Sequence, residues 1–146
     1  MNYGYACINE TLGAGPKKTR ITTNRSMIKR TFKERGIKYA SELALQNIHD
    51  LIKILAWNED NDIKFYRMSS DIFPWSSEYN YYDLPNYKEI KYWLHCAGEA
   101  ATKMGHRLTF HPGPFNCLAS PNFEVVEKTY KELNNHSRIF DMMGLE

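Results

Sequence analysis

The sequence predicts an α/β fold in which parallel strands alternate with covering helices. Three observations predict it. Short apolar runs, two of them β-branched or aromatic in character, begin near Asn2, Ile63 and His106. Each is followed by a longer segment whose apolar residues recur three or four apart, the helical period. Glycine, proline and capping residues stand where those segments should start and stop. Repeated βα units imply parallel strands with helices outside and right-handed crossovers.

The elements follow in order. Asn2–Ile8 reads as a short strand. The polar, basic stretch after it contains Gly-Ala-Gly-Pro, which fits neither a helix interior nor a central strand. Ile37–Asn61 has one apolar stripe, with Ile37, Ala40, Ala44, Ile48, Leu51, Ile52 and Leu55 at helical spacing. Ile63–Ser69 is the second strand, and a long ring-rich loop follows it. Asn86 is placed to cap the next helix, with Glu89 as the return partner of a capping box. Tyr87, Ile90, Leu94, Ala97, Ala101 and Met104 form that helix's face, and Gly105 suits its C-terminal stop. His106–Pro112 is the third strand. Ser120-Pro121 supplies an N-cap and a first-turn proline. Phe123, Val126, Tyr130, Leu133, Ser137 and Phe140 mark the expected inner face of the third helix, closed by Gly144.

In such a sheet all strand C-terminal ends lie at one edge, where ligands bind. Asn9, Ser69–Glu78 and His111–Asn116 should therefore converge. A closed (β/α)₈ barrel needs about 250 residues. Three units in 146 residues make a partial barrel, three-eighths of the whole, in a single domain over residues 1–146. A compact three-stranded sandwich is the alternative, and it would leave two parallel edges unpaired.

Composition narrows the function classes. The net charge is only +2, yet residues 13–36 hold eight cations against Glu34 alone, so that segment is +7 and the remainder −5. A basic block on a nearly neutral chain suits a local anionic partner such as nucleic acid. The alternative is a solvated loop. The three cysteines, Cys7, Cys96 and Cys117, make no C-x-x-C, which argues against a disulfide scaffold or a zinc knuckle and for an intracellular setting. No signal peptide is evident, and no run approaches the ~20 apolar residues of a membrane span.

The stretches GYACIN…TLGA, TTNRSM, FYRMSSDIFPWSSE, RLTFHPGPFN and LASPNFEVVEKTYKELNNHSRIFDMMGL run in order along nearly the whole chain. In them the chain resembles the ultraviolet damage endonuclease (UvdE) family. The resemblance implies a TIM barrel with a metal cluster at its C-terminal mouth. It also implies nicking of duplex DNA on the 5′ side of a photolesion during excision repair. It covers the N-terminal part of that barrel only.

At the level of residues, His111 ends the third strand beside Pro112 and Gly113. A strand-tip imidazole can ligate Mn²⁺ or Zn²⁺, and the resemblance assigns a metal-ligand role to this histidine. The alternative is a hydrogen bond to loop backbone. Glu78 falls where the resemblance expects a second ligand, often a histidine; a carboxylate also suits Mn²⁺. It could equally be an exposed loop acid. The implied cofactor is a divalent metal, Mn²⁺ first, with Zn²⁺ or Mg²⁺ as alternatives. The family's glutamine-tyrosine pair, which probes damaged bases, is replaced here by Pro114 and Phe115. Phe115 keeps a ring able to stack on bases, or to fold into the core, whereas Pro114 cannot supply an amide hydrogen bond. Tyr5 and Asn9 match first-strand residues near the lesion pocket; otherwise they are a core ring and a turn residue. Arg25 is a candidate phosphate contact, and neighbouring lysines would add sequence-blind affinity.

Two metal donors are too few for a multi-metal cluster. The expected partner is duplex DNA carrying ultraviolet lesions, with a second chain as a possible source of the missing strands. The competing expectations are a truncated relative that binds DNA without cutting it and a fragment of a sugar-isomerase-like metal barrel. The sugar enzyme would need neither the basic block nor the aromatic loop.

Overall fold

The computed structural model describes residues 3–145. Strands β1 (Gly4–Ala6), β2 (Phe65–Ser69) and β3 (Arg107–His111) form one parallel sheet in the order β1-β2-β3. Helices α1 (Lys29–Asp60), α2 (Tyr87–Met104) and α3 (Phe123–Met143) follow the strands in turn. This is the predicted α/β partial barrel, with three βα units. Asn2, expected within the first strand, lies outside the described residues.

Register explains which side chains face where. Tyr5 pairs with Tyr66, and Tyr66 with Leu108; Met68 pairs with Phe110. Alternate residues point to opposite faces. Tyr66, Met68 and Phe110 are buried on the helix side with Ile48, Leu51, Leu55, Ile90 and Leu94. Each such aliphatic side chain contributes about 1.5–3 kcal/mol on burial. Phe65, Arg67, Ser69, Arg107, Thr109 and His111 therefore stand on the opposite, open face.

Four local expectations need correction. First, the basic segment 13–36 is not all loop: Lys29–Arg35 is helical and belongs to α1. Its Lys, Arg and Glu residues are good helix formers. Gly36 then breaks the helix geometry with φ 62° and ψ −159°, a conformation that glycine adopts without a side-chain clash. Second, Asn86 caps α2 without using its side chain. Its Oδ1 accepts instead from Ser41 Oγ at 2.9 Å, and its N–H donates to the same hydroxyl at 3.0 Å, tying α2 to α1. Third, the cap of α3 is Asn122, whose Oδ1 accepts from Glu124 N–H at 2.9 Å; Ser120, two residues earlier, accepts from the Asn122 N–H at 3.1 Å.

The fourth correction bears on the site. The buried residues of α3 are Thr129, His136, Ile139 and Met143, not the apolar stripe. Phe123 and Tyr130 of that stripe are 74% and 63% exposed. Packing decides this. His136 stacks on Phe110 with ring centroids 4.2 Å apart. Gly98 of α2 also lets Met143 approach so closely that a Cβ there would lie 1.9 Å from the Met143 carbonyl oxygen.

Candidate metal and nucleic-acid site

Two of the three expected loops meet. A cavity of about 630 Å³ lies between the loop after β2 and the loop after β3. Its lining includes Asp71, Glu78, Gly113, Phe115, Lys131 and Glu132. Of the residues singled out from sequence, Glu78 and Phe115 are thus brought together. His111 is exposed at the end of β3, beside Ser69 in register and two residues before Gly113. Phe115 is 90% exposed, so its ring is free of the core. Pro114 is exposed next to it.

The third loop does not join them. Cys7 takes a left-handed φ of 60° directly after β1, and the Ile8 N–H donates to the Ala6 carbonyl at 2.7 Å. That turn carries Asn9 off the mouth. Asn9 is buried; its Nδ2 donates to the Tyr5 hydroxyl at 2.8 Å, and its Oδ1 accepts from Leu12 N–H at 2.9 Å. The Tyr5 hydroxyl donates to Asn58 Oδ1 at 2.7 Å. Both side chains are engaged on the helix side of the sheet. Burial first, moderated by the bonds to Asn9 and Asn58, raises the Tyr5 pKa.

Arg25 is engaged too. Its guanidinium donates to the Thr22 carbonyl at 2.7 Å and the Arg20 carbonyl at 2.9 Å, and pairs with Asp50 at 2.7 Å. Asn47 grips the same residue's backbone, accepting from its N–H at 3.0 Å and donating to its carbonyl at 3.1 Å. Burial acts to raise the Asp50 pKa, but bonds from Lys53, Thr22 N–H and Arg25 outweigh it and hold the carboxyl below its ordinary range. Arg25 therefore pins the basic loop to α1. The loop and α1 enclose a groove of about 670 Å³ lined by Lys17, Lys18, Arg20, Tyr39 and Gln46, among others. No ion pair among the described residues takes up Lys17, Lys18 or Arg20; the cations of the basic segment that pair are Arg25, Arg30 and Arg35.

The sequence reading missed Asp71, Lys131 and Glu132. Glu132 Oε1 accepts from Gly113 N–H at 2.8 Å, and Asn116 Nδ2 donates to the Gly113 carbonyl at 3.0 Å. Asp71 faces the same cavity; partial burial first, and then the Glu132 charge, raise its pKa. The available signal was the spacing of Thr129, Glu132 and His136, three polar residues on one helix face.

No three His, Cys, Asp or Glu side chains among the described residues come together so as to hold a metal ion. His111, at the end of β3, and Glu78, on the loop after β2, belong to no such group. Burial is the main influence on Cys7 and raises its pKa, despite Arg67 nearby. His49 and His106 lie away from this cavity. His49 meets Trp93 edge-on with centroids 5.0 Å apart. His106 Nε2 lies 2.8 Å from Glu59 Oε2. No helix among the described residues is long and apolar enough to cross a membrane.

Comparison with known proteins adds an independent line. The description of the family UV-endonuclease UvdE matches residues 1–146. A protein of Acanthamoeba polyphaga mimivirus bearing a UV-damage endonuclease name is 39% identical over 148 residues, covering 99% of this chain and 43% of the relative. The UV-damage endonuclease of Schizosaccharomyces pombe is 36% identical, with 97% of this chain and 23% of the relative covered. The crystal structure of SacUVDE superposes with a TM-score of 0.81 at 26% identity, over 100% of this chain and 47% of that one. The chain spans less than half the length of each of these proteins.

Proposed function

The chain belongs to the UV-endonuclease UvdE family, and from that membership we propose that it is the DNA-engaging N-terminal portion of a metal-dependent endonuclease acting on ultraviolet-damaged duplex DNA. The observation that carries the reading is the mouth cavity. Phe115, 90% exposed, stands there on the loop after β3, with Glu78 on the facing loop.

In this reading the exposed Phe115 ring stacks on bases at a distorted step, a contact worth about 1–3 kcal/mol per stacked base. Pro114 stiffens the loop beneath it without offering a hydrogen bond. Lys17, Lys18 and Arg20 contact phosphates and supply sequence-blind affinity. Arg25 holds that loop in place from behind, so its role is to position the cations. Tyr5 and Asn9 brace the first turn and reach the lesion only indirectly. His111 and Glu78 are this portion's share of a divalent-metal site, Mn²⁺ in the first instance. Such a metal would polarise the phosphodiester and activate water. The other donors come from residues beyond this chain, supplied as further barrel strands. Strand scission on the 5′ side of the lesion and an intracellular location belong to the same proposal.

The incomplete donor set favours one second reading, a relative that binds DNA without cutting it. Irradiated and unirradiated supercoiled plasmid, with Mn²⁺, separates the two. The chain is assayed alone and together with the C-terminal remainder of a UV-damage endonuclease. The proposal expects irradiation-dependent nicking only in the mixture. Equal nicking of both plasmids would overturn the damage specificity. Robust nicking by the chain alone would overturn the incomplete site. No nicking in a mixture that demonstrably associates would favour the binding-only reading.

A further inference from the structure

We infer that α3 sets the spacing between the two mouth loops, with Glu132 and Lys131 as its positioning residues. The functional weight of this inference rests on the reading that those loops carry His111 and Glu78 as metal donors.

Four side chains of α3 reach the loops. Glu132 Oε1 accepts from Gly113 N–H at 2.8 Å, two residues beyond His111. One turn earlier, Thr129 Oγ1 accepts from Cys117 N–H at 2.9 Å. These two bonds hold the loop after β3 at both ends. On the other side, Lys131 Nζ donates to the Ser77 carbonyl, next to Glu78. Asn135 Nδ2 donates to the Ser76 carbonyl at 3.4 Å. Beyond the strand pairing at Ser69 and His111, no hydrogen bond among the described residues joins the two loops directly. Their tie runs through one rigid helix.

The chemistry of the tie suits the task. Glu132 and Lys131 are adjacent, so the helix directs one toward each loop. Glu132 offers an acceptor to an amide of one loop, and Lys131 offers a donor to a carbonyl of the other. A carboxylate acceptor also makes the stronger, charge-assisted bond. Gly113 lies in contact with the helix: a Cβ there would lie 3.5 Å from both Glu132 carboxylate oxygens, an ordinary van der Waals distance. The loop backbone is thus seated against the helix, and the loop after β2 has no comparable anchor on β3. Within that loop, Trp75, directly before the short 3-10 turn Ser76–Glu78, holds a left-handed φ of 59°. Such a conformation in a bulky residue persists only where its surroundings enforce it.

Amide hydrogen exchange on the full, isotope-labelled chain tests this. Glu132→Ala should speed Gly113 exchange about tenfold or more, by loss of its acceptor. Glu132→Gln keeps an acceptor oxygen and should restore protection to within about threefold of the parent. Lys131→Met keeps the stem and should move the Ser77 and Glu78 amide resonances while leaving Gly113 protected. Unchanged Gly113 protection in Glu132→Ala overturns the inference, as does failure of the Gln variant to restore it in a folded chain. If Glu132→Ala does not fold, Lys131→Met decides alone, and unchanged Ser77 and Glu78 resonances overturn the inference. Mn²⁺ paramagnetic broadening separates the underlying reading. If His111→Ala and Glu78→Ala leave the broadening unchanged while the exchange results hold, the metal assignment fails and the spacing role stands.

Discussion

His136 lies flat against Phe110, with ring centroids 4.2 Å apart and planes 5° apart. Phe110 directly precedes His111 in β3, so this stack fixes the strand end from behind. Burial lowers the His136 pKa, opposed by the Glu132 carboxylate 3.9 Å away. The unfolded chain therefore binds a proton more readily than the folded one. Stability from this residue is present above the unfolded pKa, about 6.5, and is lost as pH falls from there toward the depressed folded value. His136→Phe should keep the stack and flatten that slope. Denaturant melts of both proteins between pH 7.5 and pH 5, as choices of assay, measure it; an equal slope in the variant would count against the assignment.

Gly98→Ala should cost about 1–3 kcal/mol, the range for overpacking a closely packed contact. The added Cβ would fall 1.9 Å from the Met143 carbonyl oxygen, and backbone cannot step aside as a side-chain tip can. Thermal unfolding gives the number. A neutral result would mean that α3 is less firmly seated on α2 than the contact indicates.

Asp50→Asn should loosen the basic loop. The carboxylate meets Arg25 at 2.7 Å, Lys53 at 2.8 Å and Thr22 N–H at 3.1 Å, and its side chain is 5% exposed. Loss of the charge-assisted part of that set should cost about 2 kcal/mol. Thr22 and Arg25 amide exchange should quicken before global unfolding. Because the folded pKa of Asp50 is depressed, its contribution is present above the unfolded value near 4 and is lost as pH falls through the folded value. Uniform exchange rates in variant and parent would sink this prediction.

Replacing Lys17, Lys18 and Arg20 with Ala should weaken duplex binding at low salt. Three fewer phosphate contacts should reduce the slope of log affinity against log salt by about 2–3. Fluorescence anisotropy on an undamaged duplex provides the titration. An unaltered slope would remove these residues from the interface.

Phe115→Ala should lower affinity for an irradiated duplex by roughly tenfold, the equivalent of about 1.4 kcal/mol of stacking. Affinity for undamaged duplex should change little. Competition binding between the two duplexes tests the difference, and equal losses on both would leave Phe115 as a general contact.

The parallel βα order was legible because periodicity survives folding: Ile90, Leu94, Ala97 and Ala101 of α2 are buried as their spacing indicated. The third helix shows where that logic fails. Thr129, Glu132 and His136 face inward, and of the apolar stripe offset by one residue Phe123, Tyr130 and Leu133 lie exposed while Phe140 packs on Phe110. Hydropathy alone favours the wrong stripe, because the inner one spends its polar groups on loop backbone. Asn9 misses the mouth for a related reason: a short-range turn at Cys7 redirects it, and residue type does not show that turn. The long-range partner Asp50, which engages the candidate phosphate contact Arg25, is equally invisible in residue type. Glu78 and Phe115 were legible because loops at adjacent parallel strand ends must meet.

The sheet's open face carries a further consequence. Arg67 and Arg107 stand there beside Thr109, whose Oγ1 is enclosed without a hydrogen-bond partner. Arg107 rests over the Phe65 ring at 5.6 Å, and neither arginine takes part in an ion pair among the described residues. On that face Arg107 is exposed and Arg67 partly so, open to hydration. Closing a barrel over them would strip the hydration, a loss that a paired, hydrogen-bonded counter-charge must offset. A segment that buried Arg67, at the middle of β2, under a closed barrel should therefore bring it a hydrogen-bonded anionic or polar partner rather than an aliphatic one.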